Sequence, residues 1–135
     1  MMNNREMKYK LTLVSWNVKS YKLNCHWINE YLCNTYDIIM LQETWLQDFE
    51  ENLVCNLNEN YCATSVSTMK SDKKIVGRPF GGTSILWKKE LSDNITVVSL
   101  NDNRMSAIKM NNNGNETLII NCYFPTSDKV LLALC

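Results

Sequence analysis

A single histidine, His26, stands in 135 residues, and none of the six cysteines forms a C-x2-C pair. His26 lies beside Cys25 in a helical stretch, without the paired cysteines that structural zinc sites use. Neighbours on a helix do not face each other, so Cys25 and His26 make no nucleophile and base pair. Long apolar runs are also missing. Runs such as Ile38–Leu41 and Val130–Leu132 are far too short to cross a bilayer. The opening MMNNREMKYK carries charge but no apolar segment of signal-peptide length, so secretion is not expected. The cysteines then read as free thiols of a reducing, intracellular compartment, nuclear or cytoplasmic. Net charge is absent too, with 14 basic and 14 acidic residues. No internal repeat occurs, and the one biased tract is the asparagine run near residue 112. The length suits one small domain or part of a larger one.

What is present is unevenly distributed. Residues 42–59 hold Glu43, Asp48, Glu50, Glu51 and Glu59 and no base. Residues 70–89 hold Lys70, Lys73, Lys74, Arg78, Lys88 and Lys89 against Asp72 alone, a local charge of +5 that suits phosphates. The chain opens with KLTLVSWN, a short β-rich run from Lys10 that ends in Asn17. Leu23, Trp27, Ile28, Tyr31 and Leu32 recur at helical spacing, which predicts one amphipathic helix over 21–35. Next comes DIIMLQETWL, Asp37 to Leu46, a buried β-branched strand running into Gln42, Glu43 and Trp45. Strand, helix, strand is a β-α-β unit with parallel strands, so Asn17 and Glu43 should share one sheet edge. A carboxylate at the carboxyl end of a buried strand must be solvated, paired or metal-bound, which makes Glu43 the first candidate for chemistry.

Gln47 to Asn60 predicts a short surface helix on Phe49, Leu53, Val54 and Leu57. YCATSVST reads as a strand, followed by a long polar loop and then by GTSILWKK, Asn94 to Leu100 and Arg104 to Met110 as further strands. NNNGN is a hairpin turn signal, and TLIINCY returns as a strand. The final DKVLLALC is permissive for a helix.

Four strand ends thus carry polar residues: Asn17 in SWNV, Glu43 in LQETWL, Arg104 in NRMSAIKM and Tyr123 in NCYFPT. With GRPFGGTSILW between them, the chain resembles the endonuclease/exonuclease/phosphatase superfamily from about Leu11 to Thr126. Within it, the chain looks most like the apurinic-type endonuclease domain of LINE-like non-LTR retrotransposons. The resemblance implies an α/β fold, a four-layer sandwich of two packed mixed β-sheets flanked by helices, of which this chain holds the amino-terminal half to two thirds. The implied layout is a loose start at 1–9, a partial domain at 10–127 and a tail at 128–135. It also implies a catalytic site of Asn17, Glu43 and Tyr123, with Glu43 and Asn17 as ligands to Mg²⁺ or Mn²⁺ and Tyr123 at the scissile phosphate. Arg104, Arg78 and Lys88 are expected to bind substrate. The implied partners are DNA, no membrane, and a reverse transcriptase in a longer retroelement polyprotein.

Two departures limit the expectation. Lys19 stands where several family members carry Asp or Asn. The family's Gly-Asp-x-Asn strand end, which activates the attacking water, and its Ser-Asp-His segment have no counterpart, and His26 on the first helix does not replace them. The chain as given is therefore expected to be inactive and marginally stable. Two alternatives stand beside the nuclease: a phospholipid or inositol-phosphate phosphodiesterase of the same superfamily, and a remnant that only binds nucleic acid or protein.

Overall fold

The computed structural model describes residues 10–72, 74 and 77–125. The helix-permissive tail from residue 128 lies outside them. β1 (Leu13–Asn17), α1 (Tyr21–Trp27) and β2 (Ile38–Gln42) form the expected β-α-β unit, with β1 and β2 parallel and Asn17 level with Gln42. β3 (Tyr61–Val66) and β4 (Thr83–Lys88) complete a mixed sheet in the order β1-β2-β4-β3. β5 (Ile95–Val98), β6 (Met105–Asn112) and β7 (Asn115–Cys122) make a second sheet, antiparallel throughout rather than mixed.

The two faces of the first sheet explain the layering. Ile39, Leu41 and Leu86 pack under Tyr21, Ile28 and Leu32 of the helical segment. Ile38, Ile85 and Trp87 point the other way and meet Ile108 and Met110 of the second sheet. Alternation at period two sorts neighbouring residues of β2 and β4 onto opposite faces. β2 is therefore apolar from Ile38 to Leu41 and β4 from Ile85 to Trp87, the parts of these strands covered on both sides. The β6–β7 hairpin turns on Asn113 and Gly114, with φ of 51° and 85°, the left-handed pair that a two-residue turn needs.

Two helical expectations are corrected. The helix predicted over 21–35 is α-helical only to Trp27 and then widens into a π-helical turn, Ile28–Leu32. The buried stripe is Tyr21, Ile28 and Leu32, whereas Leu23, Trp27 and Tyr31 are exposed. The segment carries two apolar faces, and spacing alone does not say which one meets the sheet. Gln47 to Asn60 holds only a 3-10 turn, Asp48–Glu50, and one α-helical turn, Asn52–Cys55. Asparagines compete there for the backbone: the Asn58 side chain accepts from the Asn60 amide at 2.8 Å.

Candidate active site

The carboxyl end of β2 is held in an unusual turn. Glu43 and Trp45 have φ of 53° and 58°, a left-handed conformation that costs of order 1 kcal/mol or more for residues with a side chain. The neighbouring chain fixes it from both sides. Val18, Ser20 and Tyr21 donate their amides to the carbonyls of Gln42, Glu43 and Thr44 at 2.9–3.0 Å. Opposite, Thr44 and Trp45 donate to the carbonyls of Gly82 and Gly81 at 3.2 and 2.9 Å. Gly82, at φ +90°, approaches so closely that a Cβ there would lie 2.2 Å from the Thr44 hydroxyl. The double glycine of PFGGTS is thus a backbone clamp on the Glu43 turn.

The loop after Asn17 is fixed as well. The Asn24 side chain donates to the carbonyls of Val18 and Ser20 at 3.0 and 3.1 Å. Ser20 caps α1 by accepting from the Leu23 amide. Asn17 and Glu43 therefore project from one edge of the first sheet on backbone that is tied down.

The second sheet brings the other wall. Tyr123 follows β7, and its amide donates to the Arg104 carbonyl at 3.0 Å. Its phenol and the Glu43 carboxylate line the same cleft, and burial, with that carboxylate nearby, raises the phenol above its ordinary value. Asn17, Gln42, Glu43, Asn121 and Tyr123 line one cleft of about 490 Å³ between the sheets. Arg104 stands beside it, paired with Asp102 at 3.0 Å and with its guanidinium 5.8 Å from the Phe124 ring centre.

Two basic residues assigned to substrate behave differently. Arg78 is exposed in the loop from β3 to β4. Lys88 does not join the site: β4 runs antiparallel to β2, which carries it to the opposite edge, where its ammonium pairs with Asp37 at 3.2 Å. Its assignment from local charge overlooked the strand direction.

Two residues of the site escaped the sequence reading. Asn121 is 2% exposed. Its amide nitrogen donates to the carbonyls of Leu41 and Ser84, both at 2.9 Å, and its oxygen accepts from Gln42 at 2.7 Å. Gln42 also donates to the Ser15 hydroxyl at 2.9 Å. The only sequence signal was a lone amide inside the apolar run of TLIINCY.

The donor set suits a hard divalent cation. Glu43 offers a carboxylate, Asn17 an amide oxygen, and both face an open cleft rather than a closed cage, the arrangement Mg²⁺ takes when it keeps waters and substrate oxygens. Among the described residues no cluster of three or more His, Cys, Asp or Glu forms a complete cage.

The profile of a family described as "Endonuclease/Exonuclease/phosphatase family" matches residues 14–131. The chain belongs to that family. The endonuclease/exonuclease/phosphatase fold is also what solved structures show. The AP endonuclease LMAP from Leishmania major superposes with a TM-score of 0.68 at 17% identity, over 92% of this chain and 43% of its own. An AP endonuclease from Archaeoglobus fulgidus gives 0.60 at 21% identity, over 93% and 47%. A 3′ phosphatase, NExo from Neisseria, solved with a product DNA hairpin, gives 0.55 at 17%, over 84% and 41%. The chain thus spans less than half the length of these structures. No curated protein matches it. No helix among the described residues is long and apolar enough to cross a membrane.

Proposed function

We propose that this edge is the metal- and phosphate-binding half of a DNA phosphodiesterase, an endonuclease that nicks target DNA for a LINE-like retroelement. The observation that carries the reading is the meeting of Glu43 and Tyr123, from two different sheets, in a cleft that Asn17 also lines. Membership of the family supports phosphodiester chemistry. The structural neighbours, one of them holding DNA, support DNA as the substrate. The retroelement origin is supported by LQETWL, GGTSILW and NCYFP.

Glu43 and Asn17 hold Mg²⁺, or Mn²⁺ in its place. When bound, the ion supplies positive charge for the phosphoryl oxygens and the leaving oxygen of an in-line displacement. The chain's own groups do the rest. Tyr123, whose phenol is protonated at neutral pH, donates a hydrogen bond to a phosphate oxygen. Arg104, oriented by Asp102, places positive charge on the wall beside Tyr123, and Arg78 contacts the DNA backbone from its exposed loop. The group that activates the attacking water is supplied from outside the described residues. The 135 residues alone bind metal and DNA but turn over poorly. In the parent, a reverse transcriptase follows, and the protein works inside the cell.

The test is supercoiled plasmid with the parent polypeptide. Nicking requires Mg²⁺ or Mn²⁺, and Glu43→Gln lowers it by about 10²-fold or more, as for loss of a charge-stabilising group. Hydrolysis of inositol phosphates with intact plasmid would assign the chain to another branch. Metal-independent, salt-sensitive DNA binding unchanged by Glu43→Ala would leave only a binding remnant.

A further inference from the structure

Glu43 and Tyr123 come from separate sheets, so something must fix one sheet against the other at this edge. At the far end the sheets meet through Ile38, Ile85, Ile108 and Met110, contacts without direction. At the site end the meeting surface is polar. The hydroxyls of Thr83 and Ser106, level with Gln42 and Asn121 on neighbouring strands, are buried without partners among the described residues. Asn121 is different. Its side chain leaves β7, crosses to the first sheet, and fills both amide donors and its acceptor on β2 and β4 at 2.7–2.9 Å.

The attachment points matter more than their number. Asn121 lies two residues from Tyr123, Gln42 is next to Glu43, and Ser15, the second partner of Gln42, lies two residues from Asn17. One continuous network therefore touches the strand end that carries each of the three site residues. Directional bonds of this kind resist the small slips that apolar packing tolerates.

We infer that Asn121, through Gln42, is the positioning residue of this site: it sets Tyr123 opposite Glu43 and touches no substrate itself. The inference rests on the reading of Glu43 and Tyr123 as the two walls of the site. Its test, however, needs neither metal nor DNA.

The experiment is a two-dimensional NMR cycle on the 135-residue chain, kept dilute enough to be monomeric, with labelled tyrosine rings and labelled isoleucine and methionine methyls, the Tyr123 ring signal being assigned by Tyr123→Phe. In the otherwise unaltered 135-residue chain, Glu43→Gln shifts the Tyr123 signal. In an Asn121→Leu background, with the methyl signals of Ile108 and Met110 unchanged as the check on folding, that shift is lost. Gln42→Ala, a milder change at a half-buried residue, reduces it in the same direction and decides the matter if Asn121→Leu does not fold. A residue that only stabilises the fold would lower the melting temperature and leave the response of Tyr123 to Glu43 intact. The inference is overturned if Glu43→Gln shifts Tyr123 equally in all three backgrounds, or if it does not shift Tyr123 in the otherwise unaltered chain. Failure of the nuclease reading would instead appear as absent metal-dependent nicking with the NMR coupling preserved.

Discussion

Asp37 and Glu43 flank β2 at its two ends, and their surroundings give them opposite uses. Burial alone would raise the Asp37 carboxyl. The Thr12 amide, the Lys88 ammonium and the Thr12 hydroxyl outweigh it and hold the group below the usual aspartate range. A carboxyl lowered in the folded state stabilises the fold above its ordinary pKa, and that contribution drains away as pH falls through the lower, folded value. Asp37→Asn is therefore expected to cost about 1–3 kcal/mol at neutral pH, in the range of hydrogen bonds to charged groups. The gap to the parent should close in acid, below the ordinary aspartate pKa of about 3.9, in paired denaturant melts. Glu43 has no such enclosure and faces the cleft. Across from it, Tyr123→Phe removes one donor and no packing volume. The expected outcome is a loss of roughly 10- to 100-fold in metal-dependent nicking by the parent polypeptide, equivalent to about 1.5–3 kcal/mol, with an unchanged melt.

The turn that carries Glu43 is built by two elements distant in sequence, the segment after β1 and the double glycine before β4. Gly82→Ala should be severely destabilising, because a Cβ meets the Thr44 hydroxyl at 2.2 Å in a left-handed backbone. Removing the obstacle restores part of the loss: Thr44→Ala with Gly82→Ala is expected to melt above Gly82→Ala alone, and strictly additive melts would refute the clamp. How far this was legible follows from the range of each interaction. The β-α-β unit, the strand ends at Asn17 and Glu43, and the NNNGN hairpin were readable because periodicity and turn chemistry are local. The buried face of the 21–35 segment was not, since Tyr21 and Trp27 are equally apolar and only the sheet chooses between them. Lys88 was misassigned because local charge carries no strand direction. Asn121 was missed because its partners are up to 80 residues away, and in sequence it is one amide in an apolar strand.

Taken whole, the described fold has one apolar surface too many. β1 and β7 each pair along one side only among the described residues, and Leu13, Leu118 and Ile120 stand exposed on them. Beside β1, Trp16, Trp27 and Tyr31 stack with ring centres 5.6 and 4.7 Å apart, the last two rings about half exposed. Open strand edges with apolar neighbours invite further pairing. The 135-residue chain is expected to self-associate as concentration rises and to melt broadly. A sharp cooperative melt with concentration-independent monomeric elution would refute this.

The amide bridge between the sheets also sets an order of events in time. Gln42 and Asn121 are 79 residues apart. Synthesis proceeds at roughly 5–20 residues per second, so several seconds separate the emergence of Glu43 from that of Tyr123. In that interval every strand of the first sheet, and with Gly81 and Gly82 both sides of the Glu43 turn, has been made before the opposite wall exists. Contacts over that range close slowly, so the cleft is expected to mature after the first sheet.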